Sequence, residues 1–222
     1  MNGRPAVFLD RDGTLTEPRH YPSRPEDLVL QPDVEPALYE LQTQRRALVV
    51  ITNQSGLARG LFSALDLDAM HRHLRRLLQK SGVVLDGIYA CPHHSDGAVD
   101  GLSFRCGCRK PRPGLLHHAA EELGLDLSAS WMVGDFDSDV EAGRQAGCRT
   151  ALVGPAVREA ASAGPNPARE ESADGQDADR QEGNSPHRDA LFSGHASHPT
   201  LQAATTAEAL RRIARHPARA LC

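Results

Sequence analysis

The hexapeptide Asp10-Arg11-Asp12-Gly13-Thr14-Leu15 follows directly after the apolar run Ala6–Leu9. A short apolar run that ends at a polar turn is typical of a buried strand. The two carboxylates stand two positions apart, so both project into one crevice beyond the end of that strand. Like charges this close repel unless a cation lies between them. The stretch is also compatible with a simple polar turn, because Asp-Gly is a common turn dipeptide.

This first strand begins a series of short apolar runs that alternate with helix-like stretches up to about residue 155. Apolar runs of this kind form parallel sheets that helices cover on both faces. We therefore predict a Rossmann-like α/β fold without a large cap domain, because ordinary helices and one loop fill the intervals between strands. Ligands bind such sheets beyond the carboxyl ends of the strands. The predicted strands are Ala6–Leu9, Ala47–Thr52, Gly87–Ala90, Ser130–Val133 and Thr150–Val153, and the predicted helices are Val34–Gln44, Ala64–Lys80, Gly114–Leu123 and Asp137–Ala146.

Composition narrows the class of protein. The 222 residues carry 25 Lys and Arg against 29 Asp and Glu, a net charge of −4, which argues against a dedicated binder of nucleic acid or anionic membranes. No apolar run approaches the ~18 residues of a membrane span, and no secretory signal is visible. Five cysteines are too few and too clustered for a disulfide scaffold. We therefore expect a cytoplasmic protein with reduced thiols. We also expect a monomer, because the sequence leaves no exposed apolar helix face without a use.

Composition also divides the chain. Residues 1–155 form the predicted core domain, whereas 156–199 hold only three large apolar residues among 44. Such a segment cannot offset its ordering entropy by burial, which predicts a disordered low-complexity insertion. Residues 200–222 are predicted to return as a C-terminal helix that packs on the core. The hydroxyl of Thr206 is the expected N-cap of that helix.

Three more polar stretches follow predicted strands. Thr52–Gly56 offers hydroxyl and amide groups suited to phosphate oxygens, or simply a helix-capping turn. In the basic stretch 109–114, Lys110 would supply a point charge to a phosphoryl group, although a solvated basic loop is the alternative. Asp135 follows the fourth strand and could hold a metal ion. Asp139, one helical turn on, either hydrogen-bonds into the site or is a first-turn acid favoured by the helix dipole.

The four polar stretches follow four separate strands in a fixed order. Together they resemble the four motifs of the haloacid dehalogenase superfamily of phosphatases. The resemblance implies that Asp10 is the nucleophile and a Mg²⁺ ligand, and that Asp12 is the general acid and base and a Mg²⁺ ligand through its backbone carbonyl. It also implies that Asp135 is the third metal contact, and that Thr52 and Lys110 steady the phosphoryl group.

A second metal site is predicted between the third strand and Lys110. Cys91, His93, Cys106 and Cys108 supply three thiolates and an imidazole, which suffice for a closed structural Zn²⁺ site. The loop between the two pairs has few apolar residues, so a metal would give it a reason to be ordered. Incidental thiols explain the two close pairs poorly. His94 is the alternative imidazole; His93 is favoured because its spacing from Cys91 mirrors the Cys-x-Cys pair.

Longer stretches narrow the resemblance to the heptose 1,7-bisphosphate 7-phosphatases, whose histidinol-phosphate phosphatase relatives carry the same zinc loop. These stretches are Thr-Asn-Gln-Ser-Gly-Leu-Ala-Arg-Gly at 52–60 and Cys-Gly-Cys-Arg-Lys-Pro at 106–111. The chain departs from the family at Phe136, where heptose enzymes carry lysine. It also reads Pro-Arg-His-Tyr at 18–21, where Asp-His-Gly-Tyr is expected. The substrate-facing residues that the resemblance implies are Arg11, Tyr21, Asn53, Gln54, Ser55 and Arg109.

The function predicted from these features is Mg²⁺-dependent removal of the 7-phosphate from a heptose 1,7-bisphosphate, through an aspartyl-phosphate. Its partner is a small phosphorylated sugar, with Arg109, Arg59 and Arg19 available for the second phosphate. A histidinol-phosphate phosphatase is the alternative, for which Glu17 could face the substrate amine. A non-catalytic zinc-binding interaction protein is a third hypothesis. The Asp10/Asp12 pair argues against it, since a binding module gains nothing from two repelling carboxylates.

Overall fold

The computed structural model describes residues 3–154 and 198–216 of the chain. Within them, six parallel strands form one sheet in the spatial order β3-β2-β1-β4-β5-β6. The order reverses between β1 and β4, which is the kind of switch point where open α/β sheets bind ligands. The strands are β1 (Arg4–Leu9), β2 (Ala47–Asn53), β3 (Gly87–Cys91), β4 (Leu125–Gly134), β5 (Arg149–Val153) and β6 (Leu201–Ala203).

Five helices within these described residues cover the two faces of the sheet. The longest, α2, begins at a capping box in which Ser63 and Asp66 satisfy each other's backbone N–H groups. Its buried side chains recur at helical spacing, as in an amphipathic surface helix. The helices are α1 (Val34–Thr43), α2 (Ala64–Gln79), α3 (Gly114–Leu123), α4 (Asp137–Gln145) and α5 (Thr206–Ala214), with a short 3₁₀ turn at Pro25–Asp27.

Alternation along the central strands creates two apolar layers. In β1, Val7 and Leu9 pack into the layer shared with α1, α2 and α5, whereas Ala6 and Phe8 pack into the layer shared with α3 and α4. All four side chains have no exposed surface. Each fully buried large apolar side chain contributes about 1.5–3 kcal/mol, so the two layers hold the strand ends in register.

The sequence-based prediction of a parallel α/β sheet covered on both faces is confirmed. All five predicted strands form, and α3 has the predicted bounds. Two parts were not predicted: β6, which is only three residues long, and the first half of β4, where Leu125–Ala129 precedes the predicted run. The predicted insertion at 156–199 falls almost entirely outside the described residues, as do the last six residues of the chain.

The C-terminal helix forms where it was predicted, with one correction. Thr205, not Thr206, is its N-cap, because the Thr205 hydroxyl accepts the hydrogen bond from the Glu208 backbone N–H at 3.2 Å. Thr206 is the first helical residue and is buried. Among the helices of residues 3–154 and 198–216, none has the length and apolar character that crossing a bilayer requires.

Candidate active site

The carboxyl ends of β1, β2 and β4 bring the predicted site residues to one edge of the sheet. The Asp10 backbone N–H donates to the Val133 carbonyl at 2.9 Å, which ties the end of β1 to the end of β4. Thr52 lies on the neighbouring strand β2 and is buried. Asp135 follows the last residue of β4. Sheet register therefore brings together the strand ends from which these side chains project.

Lys110 lies at the centre of the site although it belongs to a loop. Its Nζ is 2.6 Å from Asp10 Oδ1, 2.6 Å from Asp139 Oδ1 and 2.8 Å from the Ile51 carbonyl oxygen. The side chain is buried, and burial alone disfavours an ammonium. The two carboxylates outweigh that cost and raise the pKa of Lys110 above its ordinary value. Lys110 is therefore a fixed positive charge beside Asp10.

One cation does not neutralise the carboxylates around it. Oxygen atoms of Asp10, Asp135 and Asp139 all lie within 4.8 Å of one another. Burial raises the pKa of Asp10 to about 7, and burial together with repulsion from Asp139 raises the pKa of Asp135 to about 6. The site thus holds more negative charge than Lys110 can balance, which suits a divalent cation with oxygen ligands.

The loop after β1 leaves room for Asp135 only because residue 13 is glycine. A Cβ atom on Gly13 would lie 2.2 Å from Asp135 Oδ2, and the φ angle of Gly13 is +90°. The Thr14 hydroxyl donates to Asp135 Oδ1 at 2.9 Å. Gly13 and Thr14 therefore cradle the Asp135 carboxylate.

Asp12 stands apart from this acidic cluster. Its carboxylate accepts two hydrogen bonds from the Arg11 guanidinium, at 3.0 and 2.8 Å, and one from Gln54 Nε2 at 3.0 Å. Gln54 Nε2 also donates to Thr52 Oγ1 at 2.8 Å. The two aspartates of the Asp-x-Asp pair therefore have separate surroundings, which allows them separate roles.

Two residues expected to face the substrate make hydrogen bonds within the protein. Arg11 has no exposed surface, and its guanidinium is directed onto Asp12. Asn53 uses both atoms of its amide on the backbone of Lys110: Nδ2 donates to the Lys110 carbonyl and Oδ1 accepts from the Lys110 N–H, each at 3.1 Å. The sequence pattern located both residues at the site but could not show which way their side chains point.

Asp139 is a site residue that the sequence left between two interpretations. Its carboxylate pairs with Lys110 and also caps α4, because Oδ2 accepts from the Phe136 backbone N–H at 3.1 Å. The residue is 2% exposed, whereas an ordinary first-turn acid lies in solvent. The available signal was its position one helical turn after Asp135, and this was too common a pattern to decide the matter.

The second predicted metal site is assembled at the end of β3. The three sulfur atoms of Cys91, Cys106 and Cys108 lie 3.2–3.5 Å apart, and His93 Nδ1 is 3.4 Å from Cys108 Sγ and 3.7 Å from Cys91 Sγ. Zn–S bonds of ~2.3 Å give tetrahedral edges of about 3.7 Å, so the four atoms fit a closed metal site. His94 lies outside this group, with its ring against Arg59.

Comparison with known proteins agrees with this geometry. A family model described as HAD-hydrolase-like matches residues 107–173. The D-glycero-β-D-manno-heptose-1,7-bisphosphate 7-phosphatase of Yersinia pestis is 43% identical over 149 residues, which are 67% of this chain and 79% of that relative. This chain belongs to the haloacid dehalogenase family of phosphatases. As a member of that family, it is an enzyme that hydrolyses phosphate esters.

Other relatives and solved structures of this phosphatase family match over similar lengths. The Escherichia coli K12 enzyme of the same name is 43% identical, over 62% of this chain and 72% of that relative. A HAD-like phosphatase of Mesorhizobium loti is 40% identical with a TM-score of 0.66, over 69% of this chain and 74% of that one. The B. bronchiseptica D,D-heptose 1,7-bisphosphate phosphatase, solved with magnesium and phosphate, is 37% identical with a TM-score of 0.60, over 68% and 80%.

The remaining residues predicted to face the substrate of this phosphatase differ in their burial and in their contacts. Arg109 Nη1 is buried and has no hydrogen-bond partner within the described residues. Ser55 accepts a backbone hydrogen bond from Arg59 through its carbonyl, at 3.0 Å. Tyr21 is partly buried with its ring edge-on to His20. Phe136 is 65% exposed directly after Asp135, so an apolar ring stands where the heptose enzymes were expected to carry a cation.

Proposed function

We propose that this phosphatase removes the 7-phosphate of D-glycero-D-manno-heptose 1,7-bisphosphate and forms an aspartyl-phosphate on Asp10. One observation supports the chemistry above all others. The Lys110 ammonium is 2.6 Å from Asp10, within a buried acidic cluster that still lacks balancing positive charge. The substrate follows from the relatives that are 40–44% identical, which bear the name of a heptose-1,7-bisphosphate 7-phosphatase.

The acidic cluster is the proposed Mg²⁺ site. Asp10, Asp135 and the backbone carbonyl of Asp12 would hold the ion, with the cradle at Gly13 fixing Asp135. When bound, Mg²⁺ neutralises phosphoryl oxygens and balances the carboxylates. The cluster of Cys91, His93, Cys106 and Cys108 is the proposed structural Zn²⁺ site.

The first chemical step belongs to Asp10. Its free carboxylate oxygen attacks the substrate phosphorus in line with the departing sugar oxygen, while Lys110 balances charge on the phosphoryl oxygens. Asp12 gives a proton to the sugar oxygen as the P–O bond breaks. Because the Asp12 carboxylate is now held by Arg11 and Gln54, it must turn from those donors toward the leaving group. Asp12 then takes a proton from the water that hydrolyses the aspartyl-phosphate.

The second phosphate of the substrate needs a cation outside this centre. Arg109 stands one residue before Lys110, and its buried Nη1 has a hydrogen that no described group accepts. A guanidinium N–H of this kind matches a phosphate oxygen. Thr52 would steady the transferred phosphoryl group together with Lys110, and Ser55 would face the substrate. Residues 91–108 would wall the site, and Phe136 would leave one side of it apolar.

The setting of this activity is part of the same proposal. We place the enzyme in the cytoplasm as a monomer, where reducing conditions keep three cysteine ligands available to zinc. Residues 1–155 would carry the chemistry and 200–222 would pack on them, with 156–199 as an insertion between the two.

Phosphate release with Mg²⁺ tests the proposal on three substrates: each anomer of the heptose 1,7-bisphosphate and L-histidinol phosphate. We expect a strong preference for one heptose anomer, and ³¹P NMR should show that the 1-phosphate remains on the sugar. The Asp10→Asn variant should release none. Preference for L-histidinol phosphate would overturn the substrate, and release by Asp10→Asn at the wild-type rate would overturn the nucleophile.

A further inference from the structure

A buried hydroxyl on α5 contacts the backbone of the loop Asp10–Leu15, which carries the proposed nucleophile. Thr206 Oγ1 donates to the backbone carbonyl of Thr14 at 2.7 Å, although 192 positions separate the two residues. Both side chains are buried, at 4% and 0% exposure. Because a buried carbonyl needs a donor, this bond is a fixed part of the structure and not a surface contact.

The contact continues into the acidic cluster. Thr14 is the residue whose own hydroxyl donates to Asp135 Oδ1, at 2.9 Å. The carbonyl and the hydroxyl of one residue thus connect Thr206 on one side to a proposed Mg²⁺ ligand on the other. If Thr14 shifts, the cradle around Asp135 shifts with it.

The C-terminal unit that carries Thr206 is itself well anchored. Strand β6 pairs in parallel with β5, with Ala151 opposite Leu201. The N-cap at Thr205 fixes the first turn of α5. Leu210 and Ile213 are fully buried in the apolar layer that α5 shares with α1 and α2. A donor held in this way can fix the backbone that it contacts.

We propose that Thr206 is a positioning residue for catalysis: its hydroxyl holds the loop Asp10–Leu15 so that Thr14 presents Asp135 to Mg²⁺. The inference rests on the proposed function, because it takes Asp135 as a metal ligand. It makes the C-terminal helix part of the catalytic apparatus. A merely structural Thr206 would affect unfolding alone.

Three variants separate positioning from stability. Thr206→Val removes the hydroxyl at nearly constant shape, and Thr206→Ser keeps the hydroxyl. Thr205→Val removes the neighbouring helix cap, whose hydroxyl accepts from the Glu208 backbone N–H. Each full-length protein is titrated with Mg²⁺ by calorimetry and its melting temperature is recorded. Calorimetry needs no turnover, so its result is independent of the substrate.

We expect Thr206→Val to weaken Mg²⁺ binding about fivefold, the size of one lost hydrogen bond, and Thr206→Ser to restore it. Thr205→Val should lower the melting temperature and leave Mg²⁺ binding unchanged. The inference is overturned if Thr206→Val binds Mg²⁺ as the wild type does, or if Thr205→Val weakens binding equally. It also fails if the wild type binds no Mg²⁺. Phosphate release by Asp10→Asn separately shows whether the nucleophile assignment stands.

Discussion

The two clusters that could hold metal ions lie at one edge of the sheet but are built differently. The acidic cluster draws on the residues that follow β1 and β4, and it contains its own cation, Lys110. The cysteine cluster has one ligand on a strand end, Cys91, and three in the segment that follows. The sheet therefore fixes the first cluster before any metal binds, whereas the second has little besides its ligands to hold it.

The two clusters also differ in charge balance: the acidic cluster contains a cation of its own, and the cysteine cluster does not. Lys110 pairs with two carboxylates, so part of the repulsion in the acidic cluster is already relieved. The cysteine cluster itself consists of three thiols and an imidazole, and its sulfur atoms lie 3.2–3.5 Å apart. Three thiolates at that distance are stable only around a cation. We conclude that metal removal should affect catalysis at one cluster and folding at the other.

The largest expected effect comes from Lys110→Met. This change leaves the Asp10 and Asp139 carboxylates buried without their cation, which costs about 3–5 kcal/mol of folding free energy. The phosphoryl group also loses a fixed charge, so we expect kcat to fall by about a thousandfold or more. Steady-state kinetics and urea unfolding measure the two effects.

Lys80→Met is the matched control, because Lys80 is the other lysine of the chain and is exposed at the end of α2. It should change neither quantity. Retention of wild-type kcat by Lys110→Met would contradict the role given to the ammonium.

The next effect tests the cysteine cluster. Cys106→Ser should release the metal and lower stability by several kcal/mol, because a structural zinc site contributes directly to folding. Cys148→Ser, a thiol outside the cluster, should retain the metal. Elemental analysis and thermal unfolding measure the two changes. Full zinc content in Cys106→Ser, or equal loss in Cys148→Ser, would show that the ligand set is wrong.

A smaller effect tests how the two clusters are connected. Asn53 pairs in register with Cys91 and holds the Lys110 backbone with two hydrogen bonds. Asn53→Ala should lower kcat about 25-fold, the size of two ordinary hydrogen bonds, with zinc content unchanged. Asn53→Asp keeps the acceptor but not the donor, so its kcat should also lie below that of the wild type. If Asn53→Ala raised KM and left kcat unchanged, Asn53 would be a substrate contact, as the sequence suggested.

The last expected effect is a pH dependence of folding stability that His71 on α2 carries. Burial, followed by the nearby Arg11 guanidinium, lowers the pKa of His71 to about 4. Free histidine titrates near ~6.5, so between pH 6.5 and 4 the unfolded chain binds more protons and stability falls as the pH falls, by at most about 1.4 kcal/mol per pH unit.

His71→Gln should flatten this part of the stability profile, as measured by urea unfolding at several pH values. His73→Gln, on the same helix, serves as the control. An unchanged slope in His71→Gln would show that His71 does not carry the dependence.

The sequence predicted most of the strands and the positions of the polar residues that follow them. Apolar runs and the polar residues after them located the strand ends, and hence Asp10, Thr52 and Asp135. The cysteine spacing selected His93 over His94, in agreement with the geometry of the cluster. Strand β6 was not predicted, because three residues are too few to show alternation.

What the sequence could not predict is the direction of side chains at the site. Arg11 and Asn53 have the residue types that bind substrates, yet each is used within the protein. Thr206 was expected to cap its helix, but its neighbour Thr205 does so and frees the Thr206 hydroxyl for Thr14. These bonds join positions that are distant in the chain, and local pattern carries no information about such contacts.

The most direct test of the mechanism is a burst experiment on Asp12→Asn with p-nitrophenyl phosphate. This leaving group needs no proton, so Asp10 should still be phosphorylated, while hydrolysis of the aspartyl-phosphate lacks its base. We expect one p-nitrophenolate per enzyme in a fast phase, slow turnover afterwards, and a phosphate on Asp10 by peptide mapping. No burst from Asp12→Asn, or an equal burst from Asp10→Asn/Asp12→Asn, would contradict nucleophilic attack by Asp10.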